Sequence, residues 1–189
     1  MDEETSERQQ RDELLKSLQP DGPDGPVDAA QRLATAAHCG QVDKIGLPYI
    51  DHPMRVADRV QQGGGAPHAV AAAWLHDVLE DTWVAAGQLR SAGFPRDVVA
   101  SVQALSRRPG ETAESYAARI AADPVAVVVK RADLAENTDP VRMAMLDEGT
   151  RAQLKAKYAE FSTLLDEAVA RQKARPVPPN ESGACFLGV

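Results

Sequence analysis

The sequence contains few aromatic residues, few cysteines and no long apolar run. Aromatic residues make up 4% of the 189 residues, whereas hydrophobic residues make up 43%. Alanine, valine and leucine must therefore form most of the core, which favours closely packed helices. The two cysteines, Cys39 and Cys185, form neither a disulfide framework nor a CxxC motif. Since no stretch is long enough to cross a membrane and no signal-peptide core lies near Met1, we expect a reduced, cytoplasmic protein.

Positive charge is also scarce. The chain has 21 lysines and arginines against 28 aspartates and glutamates, which gives a net charge of -7 at pH 7. A protein that binds nucleic acid independently of sequence needs a positively charged face. We therefore expect neither a nucleic-acid partner nor a membrane partner. A small anionic ligand held by local lysine and arginine side chains is compatible with this charge.

Proline and glycine divide the chain into a central region and two ends. We expect residues 1–26 to form a polar segment and linker, residues 27–173 one folded domain, and residues 174–189 a tail. Apolar residues recur at helical spacing through the central region. One run, Val125 to Val129, favours a strand by propensity alone. Because only this segment resembles a strand, the sequence predicts an all-α fold.

Ionisable side chains are concentrated in the segment Trp74 to Thr82, WLHDVLEDT, which follows the alanine-rich stretch Ala69 to Ala73. One imidazole and three carboxylates are costly in such a helix unless a cation binds them. At about 100° of rotation per residue, these four side chains lie on one face of the helix. We therefore predict one helix that presents four side chains to the same cavity: His76, Asp77, Glu80 and Asp81.

Residues elsewhere can complete a metal site. His52 follows a loop at the start of a predicted helix, and Asp133 lies one helical turn before Asn137. Together with His76 and Asp77, they offer the mixed nitrogen and oxygen ligands that Mn²⁺, Fe²⁺ or Zn²⁺ accept. Such a metal would lower the pKa of a bound water and neutralise phosphate charge.

Three sequence blocks resemble the HD phosphohydrolase superfamily, and within it the hydrolase domain of the RelA/SpoT proteins and the small alarmone hydrolases. The blocks are Gly46 to Pro53, Leu75 to Thr82 and Val129 to Asn137, and they carry YIxHP, HDxxED and KxAD-x3-N in that order. The resemblance covers roughly residues 27–139. It implies an HD-domain helical bundle, in which Val125 to Val129 is helical. Since no synthetase domain follows these blocks, we expect a hydrolase-only enzyme.

The same resemblance implies a role for each residue of the candidate site. It implies a single Mn²⁺, with Fe²⁺, Co²⁺ or Zn²⁺ as alternatives, bound by His52, His76, Asp77 and Asp133. It implies that the attacking water is activated or oriented by Glu80 and Asp81. It implies substrate contacts from Lys44, Tyr49 and Asn137. We also expect Lys130 to stabilise phosphate charge, as could Arg107 or Arg108.

Three positions depart from the alarmone hydrolase pattern: Asp43 and Ile45 in the loop before the first block, and Glu136 in the last block. Those enzymes typically carry Arg-Lys-Ser-Gly before the PYIxHP block, with the arginine packed on the guanine base. Here the stretch from Asp43 to Gly46 is DKIG. An ionised carboxylate cannot donate hydrogen bonds or stack on a base as a cation. In the last block, Glu136 replaces a buried histidine.

The residues are compatible with three functions, each with a small phosphorylated nucleotide as partner. The first is a Mn²⁺-dependent 3′-pyrophosphohydrolase acting on ppGpp-like nucleotides. The second keeps the metal centre but is a phosphomonoesterase or pyrophosphatase on another nucleotide or specialised metabolite, which Asp43 and Ile45 favour. The third is a non-catalytic nucleotide-binding module, which the full set of predicted ligands and carboxylates disfavours.

Overall fold

The computed structural model describes residues 3–22 and 25–174, and its regular structure there is entirely helical. The helices are α1 (Glu3–Ser17), α2 (Gly25–Ala37), α3 (Asp51–Gln62), α4 (Pro67–Leu75), α5 (Val78–Asp81), α6 (Ala86–Ser91), α7 (Arg96–Leu105), α8 (Ala113–Ala121), α9 (Pro124–Asn137), α10 (Pro140–Ala144) and α11 (Glu148–Ala174). The predicted all-α fold is confirmed. The expected tail lies outside the described residues except for Ala174.

Helix α4 forms the centre of the bundle. It packs against α2, α3, α7 and α9, and every residue from Ala69 to Leu75 is buried. The alanines among them add little bulk, so the neighbouring helices approach α4 closely and fill the core at high density. No described helix combines the length and apolarity needed to cross a bilayer.

The valine run lies in α9 and is helical, as the resemblance implied. Asp123 caps this helix, because its Oδ1 accepts the backbone N–H groups of Val125 and Ala126 at 2.9 and 3.0 Å. Pro124 occupies the first turn, where a missing N–H costs nothing. Val129 is 0% exposed, and this burial outweighs the weak strand preference of valine.

Two adjacent valines of α9 give a matched test of this packing. Val129→Ala is expected to lower the free energy of unfolding by about 2 kcal/mol, because it empties a fully buried position. Val128 is 46% exposed, so Val128→Ala should cost less than about 0.5 kcal/mol. Urea denaturation of both variants measures the difference. Equal losses would show that the inward face of α9 has been assigned incorrectly.

The predicted continuous helix from Ala69 to Asp81 is wrong at one point. Helix α4 ends at Leu75, and α5 begins only at Val78. Nδ1 of His76 lies 2.7 Å from the Ala73 carbonyl, and a side-chain bond of this kind competes with the regular helical ladder. The ligand pair therefore sits at a helix junction, while the acidic pair lies on the next short helix.

Candidate metal centre

Three separate elements bring two imidazoles and two carboxylates together. His52 lies in the first turn of α3, His76 and Asp77 form the α4–α5 junction, and Asp133 lies in α9. Nε2 of His52 is 3.2 Å from Asp133 Oδ1 and 3.7 Å from Asp77 Oδ2. Nε2 of His76 is 3.0 Å from Asp77 Oδ2 and 3.8 Å from Asp133 Oδ1. One carboxylate oxygen of each aspartate thus lies within 3.8 Å of Nε2 of both histidines.

The hydrogen bonding of the histidines fits a bound cation. Within the described residues, Nε2 of His76, the nitrogen that faces the carboxylates, is buried and makes no hydrogen bond of acceptable geometry, which is costly for a polar atom. Since His76 Nδ1 faces the Ala73 carbonyl at 2.7 Å, that nitrogen carries the proton and Nε2 presents a lone pair. A divalent metal accepts such a lone pair together with carboxylate oxygens. One group that can hold a metal is His52, His76 and Asp77, whose ligand atoms all lie within 4.8 Å of one another.

Electrostatics also favour a cation at this position. Burial would lower the pKa of His76, but the Asp77 and Asp133 carboxylates and the Ala73 carbonyl together outweigh burial and raise the pKa to about 9. Burial would raise the pKa of Asp133, but Lys130 and the histidines hold it below the usual range. Without a metal, a proton on His76 balances the buried carboxylates. A metal would take over this role by displacing that proton.

Each carboxylate of the centre is held by a neighbouring side chain. The Tyr49 hydroxyl donates to Asp77 Oδ2 at 2.6 Å. Lys130 Nζ donates to Asp133 Oδ2 at 2.7 Å, and Asn137 Nδ2 donates to Asp133 Oδ1 at 2.5 Å. All three donors were predicted as substrate contacts. They line the cavity, and their hydrogen bonds orient the carboxylates of the centre. Their contact with a substrate stays a prediction.

Tyr49→Phe tests this orienting role without any substrate. Loss of the hydroxyl leaves Asp77 free to rotate, so the affinity for Mn²⁺ is expected to fall about tenfold. Tyr158 also lines the cavity but is not bonded to the carboxylates, and Tyr158→Phe should leave the affinity unchanged. Titration calorimetry measures both. An unchanged affinity in Tyr49→Phe would contradict the orienting role.

The acidic pair lies beside the centre on α5. Glu80 Oε1 accepts the backbone N–H of Arg107 at 2.6 Å, and Asp81 lies 3.4 Å from the Tyr49 hydroxyl. Partial burial and the charge of Asp77 raise the pKa of both carboxyl groups above the usual range. A raised pKa brings a carboxylate closer to the range in which it exchanges protons at neutral pH.

A cavity of about 740 Å³ opens over these groups, which is the size of a typical small-molecule site. Its walls carry cations from five elements: Lys44, Arg107, Lys130, Arg142 and Lys157. Sequence reasoning missed Arg142 and Lys157, because α10 and α11 lie outside the three motif blocks. Their basic character alone gave no signal, since most lysines and arginines of a helical protein face solvent.

Two of the three departures from the alarmone hydrolase pattern, Asp43 and Glu136, meet at Arg142. Asp43 Oδ1 accepts the N–H groups of Ile45 and Leu47, both at 3.0 Å, and closes the turn of the loop. Asp43 Oδ2 accepts Arg142 Nη2 at 3.2 Å, and Glu136 Oε1 lies 3.4 Å from Arg142 Nη1. The Asp43 side chain is 7% exposed. Asp43 therefore holds the turn of the loop, and Arg142 of α10 supplies a guanidinium to the cavity wall beside that loop.

Two polar residues before the loop support the acidic pair. Gln41 Nε2 donates to the Asp81 carbonyl at 2.7 Å, and its Oε1 lies 2.7 Å from Nδ1 of His38. The His38 ring is buried and lies 4.9 Å from the Tyr49 ring. The sequence offered no reason to link Gln41 with Asp81, because they are 40 residues apart.

Comparison with known proteins identifies the family. The model of a family described as "HD domain" matches residues 30–145, which include both histidines and both aspartates of the centre. The chain belongs to the HD domain family. Its HD doublet is His76-Asp77, and members of this family that are hydrolases bind a divalent metal.

Curated relatives share part of this HD domain. A GTP pyrophosphokinase of Streptomyces coelicolor is 32% identical over 125 residues, which cover 61% of this chain and 15% of the relative. A guanosine-3′,5′-bis(diphosphate) 3′-pyrophosphohydrolase of Aquifex aeolicus is 31% identical over 119 residues, which cover 59% and 17%. The Haemophilus influenzae protein of the same name is 41% identical over 75 residues, which cover 40% and 11%. The chain thus spans less than a fifth of these relatives.

A solved structure has the same fold. It is described as "A metazoan ortholog of SpoT hydrolyzes ppGpp and plays a role in starvation responses", and it aligns with a TM-score of 0.58 at 21% sequence identity. The alignment covers 81% of this chain and 98% of that one. The two helical bundles therefore agree over nearly the whole length of the metazoan protein.

Proposed function

We propose that this HD domain is a metal-dependent phosphohydrolase that releases pyrophosphate from the 3′ position of a ppGpp-like nucleotide. The observation that carries this proposal is that His52, His76, Asp77 and Asp133 come together beside the carboxylate pair of α5, inside a cavity with cationic walls. Relatives named as 3′-pyrophosphohydrolases support it. We further propose that residues 27–173 are the extent of the domain and that it acts in the cytoplasm.

The metal would be held by two imidazoles and two carboxylates, and Mn²⁺ suits such a mixed set. The ligands we propose are His52, His76, Asp77 and Asp133. When bound, Mn²⁺ would supply positive charge that acidifies water and neutralises phosphate. Tyr49 and Lys130 keep the carboxylates in place, so that the site needs little rearrangement before the reaction.

The remaining chemistry belongs to the cavity side chains. Glu80 and Asp81 orient the attacking water, and Glu80 accepts its proton at a carboxylate oxygen. The water oxygen forms a bond to the 3′ phosphorus, the bond from phosphorus to the 3′ oxygen breaks, and pyrophosphate leaves as the 3′ hydroxyl regains a proton. Lys44 and Lys157 line the same cavity and stabilise the charge that develops on phosphate oxygens. The guanidinium of Arg107 instead donates to the Glu111 carbonyl.

One observation favours a second candidate, a phosphomonoesterase or pyrophosphatase acting on a different nucleotide or metabolite. The loop cation that alarmone hydrolases pack against guanine is replaced by Asp43, whose carboxylate is occupied by the loop N–H groups and by Arg142. In this chain the guanidinium beside the loop belongs to Arg142 of α10. A base-binding wall built differently can accept a different substrate while the metal chemistry stays the same.

A substrate panel separates the two candidates. Phosphate and pyrophosphate release should be measured with Mn²⁺ and with a chelator on ppGpp, pppGpp, NADPH and the nucleoside mono-, di- and triphosphates. Pyrophosphate from ppGpp at the highest kcat/KM supports the first candidate. Metal-dependent phosphate from another nucleotide, with ppGpp inert, supports the second. Activity that persists in the chelator would contradict both.

A further inference from the structure

The loop between α7 and α8, residues 106–112, contacts the proposed base Glu80. The backbone N–H of Arg107 donates to Glu80 Oε1 at 2.6 Å. In the described part of the chain, this is the only hydrogen bond to the Glu80 carboxylate. The direction of that carboxylate therefore depends on how firmly the loop is attached to the helices beside it.

Arg119 of α8 holds this loop in place. Its Nε and Nη2 donate to the two carboxylate oxygens of Glu111, at 2.9 and 2.6 Å. Its Nη1 donates to the carbonyls of Gln103 and Ala104 at 2.6 and 2.9 Å, and its Nη2 to the Ser106 carbonyl at 2.9 Å. Carbonyls at the end of a helix have no N–H partner within the helix, and Arg119 supplies the missing donors here. One guanidinium thus joins the end of α7, the loop and α8.

Glu111 links Arg119 to Arg107, whose backbone N–H faces Glu80. Its Oε2 accepts the N–H of Arg108 at 3.0 Å, and its carbonyl accepts Arg107 Nη2 at 3.1 Å. Hydrogen bonds from Arg119 lower the pKa of Glu111 to about 2, so Glu111 is ionised at neutral pH. The Arg119 and Glu111 side chains are only 17% and 10% exposed. A bidentate pair in such a position fixes geometry better than a surface pair.

We propose that Arg119 is a positioning residue for Glu80. By fixing Glu111 and the end of α7, it aims the N–H of Arg107 at the Glu80 carboxylate. Glu80 and Arg107 line the cavity, whereas Arg119 lies behind the loop. Arg119 therefore acts on the chemical step and not on substrate binding. This inference rests on the proposed function, in which Glu80 orients or deprotonates the attacking water.

The kinetic test uses Arg119→Lys, which keeps the positive charge but loses the planar guanidinium that donates several hydrogen bonds at once. We expect kcat to fall about tenfold, with KM within about twofold and with metal content unchanged. In a Glu80→Gln background the same change should not lower kcat further, because the base that it positions is already absent. Glu111→Gln should behave in the same way and serves as a second variant. Arg131→Lys alters an exposed ion pair with Asp166 and should leave kcat unchanged.

Equal losses of kcat in both backgrounds, or a raised KM at unchanged kcat, would overturn the assignment. A second measurement does not depend on turnover. The NMR signal of the Arg107 amide, recorded on the full chain with Zn²⁺, should shift when Glu80 is replaced by glutamine. In the Arg119→Lys background this shift should be much smaller, and an equal shift would contradict the proposal. If the wild-type chain hydrolyses no nucleotide, the proposed function fails, while the NMR result still decides whether Arg119 positions the loop.

Discussion

Asp77→Ala is expected to abolish both metal binding and turnover. The Asp77 carboxylate lies 3.0 Å from His76 Nε2 and 3.7 Å from His52 Nε2, so it is central to the proposed ligand set. Without it, the site loses one negative charge and one donor, and the two imidazoles cannot compensate. Metal content by mass spectrometry and pyrophosphate release measure the two losses. We expect less than about 1% of wild-type kcat/KM, the scale on which metal-assisted catalysis depends on its ligands.

A matched control separates ligand loss from a general effect of removing an aspartate. Asp166 is exposed and pairs with Arg131 on the outer surface of the bundle, so Asp166→Ala should keep both metal and activity. Thermal unfolding of Asp77→Ala in a chelator then reports whether the fold persists. Full metal content and full activity in Asp77→Ala would refute its assignment as a ligand.

Glu80→Gln is expected to keep the metal and lose the reaction rate. The amide retains the shape of the side chain but cannot accept a proton from water, so kcat should fall about 10²- to 10³-fold. Metal content should stay at the wild-type level, because Glu80 belongs to the acidic pair and not to the ligand cluster. Parallel measurement of Mn²⁺ affinity and kcat distinguishes these effects.

Exposed Glu167, which forms an ion pair within α11, provides the control for Glu80. Glu167→Gln should change neither metal content nor rate. Loss of metal in Glu80→Gln would make Glu80 a ligand and would require a different set of donors. An unchanged kcat would transfer the proton-accepting role to Asp81, which also lies on α5.

Local sequence patterns predicted the all-α fold and located the motif blocks, because both depend on short-range spacing. The valine run of α9 was assigned correctly only through family resemblance, since its propensity favours a strand. The break at His76 was missed because it depends on a side-chain bond to Ala73. Helical periodicity carries no information about such a bond.

Contacts between distant parts of the chain could not be predicted from the sequence. Asp43 and Arg142 are 99 residues apart, and only the packing of α10 against the loop brings them together. Lys130 was expected to face phosphate, yet it bonds to Asp133 one helical turn away. The spacing of these two residues permits that bond. The motif alone gave no reason to choose between a phosphate oxygen and a carboxylate.

Metal removal and restoration test the central claim most directly. The full chain, stripped with a chelator and then supplied with Mn²⁺, should be assayed for pyrophosphate and phosphate release across the nucleotide panel. We predict no release from the stripped protein and recovery on addition of Mn²⁺, with pyrophosphate from a ppGpp-like nucleotide as the main product. Release that is unaffected by stripping, or no release from any nucleotide after Mn²⁺ is restored, would contradict a metal-dependent nucleotide hydrolase.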